Sequence, residues 1–147
     1  MKSTLFGRWR AQDFTAAQLA DASFSGDLAD PFQKGRANLV EYALGNAPGA
    51  PGTAPGMGVL GGRLALTFTR NTAATDVTLT VQGTDSLDGT WVDLARSANG
   101  GVTAPLVTGV PVSETETGMI RSAEVRDLYL MNDPLHPQRF LRIVVQH

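Results

Sequence analysis

The chain has 147 residues, a net charge of −2, a charged fraction of 18% and no cysteine. That length predicts a single core burying about two-thirds of the surface the unfolded chain exposes. With no lysine- or arginine-rich run, nucleic acid is excluded as an expected partner, and without cysteine there are no disulfides, thiol nucleophiles or thiolate metal sites.

The missing cysteine leaves the compartment open. No apolar run approaches the ~20 residues of a membrane span, so membrane insertion is not expected. The opening "MKSTLFGRWRAQDF" has neither the apolar stretch nor the small-residue cleavage site of a signal peptide, so an export signal, if the protein uses one, lies elsewhere.

In chain order, "FTAAQLADA" (14–22) predicts a short helix. Thr15 is its N-cap, Gln18 completes a capping box, and Phe14 and Leu19 are spaced as a hydrophobic staple. "ANLVEYAL" predicts a second, with Leu39, Tyr42 and Ala43 on one face and Gly45 after its end. Neither is long enough to persist alone in water, so both must dock. "NAPGAPGTAPGMG" (46–58) alternates proline and glycine and reads as an extended strap within one domain.

From Leu60 the apolar period changes to two, the signature of strands. "RLALTFTRN" sets Leu64, Leu66 and Phe68 against Ala65, Thr67 and Thr69; "DVTLTVQGTD" sets Val77, Leu79 and Val81 inward and Thr78, Thr80 and Gln82 outward. "TWVDLARS" follows an "LDG" turn and stops at "NGG". "IRSAEVRDLYL" and "RFLRIVVQ" add two strands, joined by "MNDPLHPQ", whose prolines suit a connection and not a central strand. Leu66, Phe68, Leu79, Val81, Phe140 and Ile143 are the expected core. The fold class is mainly β (α+β): an antiparallel β-sandwich over 59–147, strapped through 46–58 to a helical cap over 1–45.

"DPFQKGRANLVEYALG" (30–45) keeps the frame of a calcium loop, which takes oxygen ligands at its first, third, fifth and twelfth positions and glycine at the sixth. Asp30, Gly35 and Glu41 fall in frame, but the third and fifth positions are Phe32 and Lys34. Two acids with backbone carbonyls give at most a weak calcium site, and no cofactor is expected. Two metal-free readings stand beside it. Lys34 acts as a built-in cation held by Asp30 and Glu41, or it is solvated and the acids merely favour the start of the second helix.

"RWRAQDFTAAQLAD", "ADPFQKGRANLVEYALG", "LALTFTRNTAATDVTLTVQGTDSLDGTWVDL" and "QRFLRIVVQH" occur in that order over nearly the whole chain. This series resembles the C-terminal module of large secreted or surface proteins of Verrucomicrobia and related bacteria, including proteins with autotransporter-associated β-strand repeats. Its loop is similar to the calcium repeats of dockerins and thrombospondins, with the ligands departed from. The resemblance implies an exported, non-catalytic module at the C-terminus of a larger protein. Its partners are then the parent polypeptide or a cell-surface or extracellular polymer.

Catalysis finds no support in the residues. His136 lies in a proline-rich loop and His147 is the last residue, so a histidine base with an orienting acid has no expected home. Asp85, Ser86, Asp88 and Asp93 read as polar turn residues. The alternative is a carbohydrate-binding module with Trp91, Tyr129 or Trp9 as sugar platforms, although Trp91 reads more readily as a core or inter-sheet residue. A third reading is a self-assembling surface subunit, a homo-oligomer built through unpaired sheet edges.

Overall fold

The computed structural model describes residues 4–147; residues 1–3, part of the stretch read above for an export signal, lie outside it. Four short helices come first. α1 (Leu5–Asp13) starts where the Thr4 hydroxyl accepts the Gly7 N–H at 2.9 Å, and α2 (Ala16–Ala20) carries the Thr15–Gln18 capping box that the sequence predicts. Of the expected staple pair, Phe14 is buried edge-on to Trp9 and Phe24 while Leu19 stays exposed. α3 (Ala22–Ser25) is capped by Asp21. α4 (Asn38–Leu44) ends at Gly45, whose φ of +86° is left-handed and suits glycine.

Eight strands follow: β1 (Gly56–Leu60), β2 (Arg63–Asn71), β3 (Thr78–Thr84), β4 (Val92–Ala98), β5 (Ala104–Pro105), β6 (Val112–Glu114), β7 (Ile120–Leu130) and β8 (Phe140–Gln146). They form two four-stranded antiparallel sheets, ordered β1-β2-β7-β6 and β5-β4-β3-β8. The sheets face one another with β2 nearest β8 and β7 nearest β4. This is the antiparallel sandwich with a helical N-terminal segment that the alternation predicts.

One hydrophobic cluster runs through both layers and the helices, from Phe6, Tyr42 and Leu44 to Phe68, Val81, Val125 and Leu141. Asp76, in the β2–β3 connection, ties the layers together: its carboxylate accepts the Phe6 N–H at 3.0 Å and the Tyr42 hydroxyl at 2.5 Å. Burial, and then this carboxylate, push the Tyr42 phenol well above its ordinary range.

Leu66, Phe68, Leu79 and Val81 are core as expected. Phe140 is not. Strand side chains alternate, so residues 140 and 143 point to opposite faces. Leu141 is the buried residue of β8, with Ile143 and Val145 packed against the core, while Phe140 shares the outer face with Arg142. Thr80, expected outward, is buried, and its hydroxyl accepts from Arg96 Nε at 3.1 Å. The strap is shorter than 46–58, because its last three residues already belong to β1.

Candidate functional site

The loop between α3 and α4 is built around two carboxylates with different tasks. Asp30 shapes the turn: Oδ1 accepts the Lys34 N–H at 2.9 Å and Oδ2 the Gly35 N–H at 2.7 Å, with Gln33 and Gly35 at φ of +53° and +76°. Glu41, one turn into α4 and 1% exposed, receives the charge. Lys34 Nζ donates to Glu41 Oε2 at 2.7 Å and to the Ala50 carbonyl at 2.6 Å, with the Ala47 carbonyl 3.5 Å away. Arg36 Nε donates to Glu41 Oε1, and Arg36 Nη2 to the Pro51 carbonyl at 2.6 Å.

The ammonium of Lys34 therefore stands among a carboxylate and backbone oxygens, the donor set a cation takes. The expected arrangement needs two corrections. Asp30 bonds backbone amides and not the ammonium, and Arg36 is a second cation on the same glutamate. The frame of the loop marked Lys34 and Glu41. Nothing local marked Arg36, or the Ala50 and Pro51 carbonyls that the strap folds back over the loop. Among the described residues no group of three or more His, Cys, Asp or Glu side chains gathers as a metal site.

The three candidate platform rings are each engaged within the protein. Trp9 packs on Phe6, Phe14 and Tyr42 and donates its Nε1–H to the Asn46 carbonyl at 3.0 Å. Trp91 is neither core nor inter-sheet. It precedes β4, half-buried, with the Arg142 guanidinium 4.0 Å from its ring centre. Arg142 also donates to Gln82 and Gln82 to Asp93, a polar outer face that the shift in register between Val81 and Gln82 aligns. Tyr129 is stacked by His136 at 3.5 Å, and Arg139 lies 4.9 Å over its ring.

Around Tyr129 the structure assembles a cluster the sequence hides. His136 Nδ1 lies 2.9 Å from Asp85 Oδ1, so His136 does have an orienting acid, supplied from the β3–β4 turn across the sandwich end. Arg139 grips the buried Asp127 with Nε and Nη2, both at 2.8 Å, and reaches Asp85 with Nη1 at 3.3 Å. The hydrogen bond from His136, aided by Arg139, holds the Asp85 carboxyl below its usual range. A pocket of about 360 Å³ opens beside this group, with Leu94 and Leu128 in its wall and Asp85, Thr90, Tyr129 and Arg139 among its polar lining. The separation of 51 positions between Asp85 and His136 leaves no spacing signal from which sequence could pair them.

A second hollow, of about 500 Å³, lies on the outer face of the β2–β7–β6 sheet, where the hydroxyls of Thr53, Thr67, Thr69, Ser113 and Ser122 meet Glu124. No helix among the described residues is long and apolar enough to cross a membrane. No family model and no curated protein matches the chain.

Proposed function

We propose that the chain is a non-catalytic extracellular module that attaches, sorts or assembles a larger exported protein of which it forms the C-terminal part. One observation carries the reading: the charged groups that a ligand or metal would use are closed on one another. Glu41 is held by Lys34 and Arg36, Asp127 by Arg139, and Glu114 by Arg70. A loop built to bind a dissociable cation would leave its carboxylates to that ion, whereas here covalently attached cations fill the place and fix the cap without a cofactor. Export, the C-terminal position and the surface destination rest on the family likeness of the quoted stretches. The test is a fusion of an exported reporter to this chain in a bacterium that carries such modules. Cell-surface retention is the expected result, and a reporter released wholly to the medium overturns the reading.

A carbohydrate-binding role is the second reading, favoured by the pocket in which Tyr129, Asp85, Thr90 and Arg139 meet. An aromatic edge beside hydrogen-bonding side chains suits a sugar. Glycan-array binding lost in Tyr129→Ala and kept in Trp91→Ala, with both variants folded, would favour it; an array without signal removes it.

A further inference from the structure

The four sheet edges are not alike. β5 has two residues and ends in Pro105, β6 has three, and β8 carries Arg142 one residue from its centre. Beyond β8, His147 is tied to Asp27 of the helical segment at 2.8 Å. Short length, proline and charge are the devices that blunt an edge. β1 has none of them within its length: Pro55 lies just outside it, and Gly56-Met57-Gly58-Val59-Leu60 is uncharged, contains no proline, and pairs only with β2.

Its register says which backbone groups are free. Gly61 and Gly62, at φ of +58° and +73°, form a two-residue turn that closes on the Leu60–Arg63 pair. Hydrogen-bonded and non-bonded pairs alternate from there, so Leu60, Gly58 and Gly56 bond to β2 while the N–H and C=O groups of Met57 and Val59 point away from it. The side chains of Met57 and Val59 lie on the face of Leu66 and Leu64, yet are 51% and 57% exposed.

We infer that β1 pairs with β1 of a second copy, antiparallel about a two-fold axis at Gly58. This deepens the assembly part of the proposed function. Met57 and Val59 are equidistant from Gly58, so each bonds the other's counterpart and four backbone hydrogen bonds form. Gly58 then meets its own copy at the close, non-bonded position, and a Cβ there would touch nothing within 4 Å of its own chain. On the core-side face Met57 covers the copy's Val59, and neither strand carries a charge to oppose the contact. A five-residue strand falls short of the ~800 Å² per partner of a stable interface, which sets the pairing in the weak, concentration-dependent range.

Light scattering and sedimentation of the full chain over a roughly hundredfold range of concentration read the pairing directly. The mass should climb from 15.5 kDa toward twice that value. Met57→Lys with Val59→Lys places like charges opposite one another and should abolish the climb. Met57→Lys with Val59→Glu places opposite charges in the same register and should keep it. Thermal melts verify that both variants fold, as the exposure of the two side chains leads one to expect. A wild type that stays monomeric overturns the pairing and leaves the surface-retention reading untouched. A dimer that survives the double lysine change assigns assembly to another surface, and loss in both variants overturns the antiparallel register.

Discussion

Glu41 concentrates the energetics of the loop in one side chain. A carboxylate at 1% exposure is stable only if its partners replace water fully. Removing one of them by Lys34→Ala leaves Arg36 in place and should cost about 1–3 kcal/mol in urea unfolding. Glu41→Gln leaves both cations facing a neutral amide and should cost about 3 kcal/mol or more. Losses below about 0.5 kcal/mol in both would mean that water holds these charges, as at a surface pair. Calcium and chelator should leave the wild-type melting temperature unchanged, whereas Phe32→Asp with Lys34→Asp restores the acidic frame and should make stability rise with calcium by mass action. That variant starts from lower stability, because Phe32 packs edge-on to Phe24 at 5.8 Å. The fifth position of the frame made Lys34 legible in the sequence; Arg36 and the strap carbonyls were not, since tertiary folding brings them in.

Among the elements, legibility followed length and period. β2, β3, β4, β7 and β8 alternate over seven or more residues, enough to show a period of two. β5 and β6 are too short to display any period, and β1 hides behind glycines that continue the composition of the strap. α1 went unmarked because Gly7 interrupts it and its docking depends on distant Asp76. The short elements nevertheless carry a buried ion pair. Glu114 of β6 accepts from Arg70 of β2 at 2.6 and 2.8 Å and from the Thr103 hydroxyl at 2.7 Å, while Arg70 Nη1 reaches the Gly100 carbonyl at 2.9 Å. Burial pushes the Glu114 carboxyl up, but Arg70 and Thr103 together hold it below the ordinary glutamate value. A depressed folded value means that the stabilisation is complete above the unfolded value and lost as pH falls through the folded one. Unfolding free energy should therefore drop on acidification below the ordinary glutamate range, with a shallower drop in Glu114→Gln. Equal slopes in the two proteins would assign the acid sensitivity elsewhere. β8, paired with β3 at seven positions and packed through Leu141, Ile143 and Val145, should be indispensable. Truncation after Gln138 should abolish the cooperative transition, and an intact melt would refute its place in the core.

At the scale of the molecule, the helical segment and the sandwich share one core, which the sequence implied by giving the first 45 residues too few large apolar side chains to fold alone. What it did not disclose was the clasp. Both oxygens of Asp76 accept, one from the first turn of α1 and the other from the Tyr42 hydroxyl of α4; an amide keeps one acceptor, has to turn the tyrosine bond around, and removes the charge that strengthens both. Asp76→Asn should cost about 1–2 kcal/mol and lower a single calorimetric transition without splitting it, because Phe6, Tyr42 and Leu44 remain packed on the strands. A chain beginning at Asn46 should lose the transition altogether: it exposes the ends of β2 and β8 against which α4 packs, leaving one flank of the core between the two sheets open to water. Two resolved transitions in the intact chain, or a cooperative melt in the shortened one, would show instead that cap and sandwich are separate folding units joined by the strap.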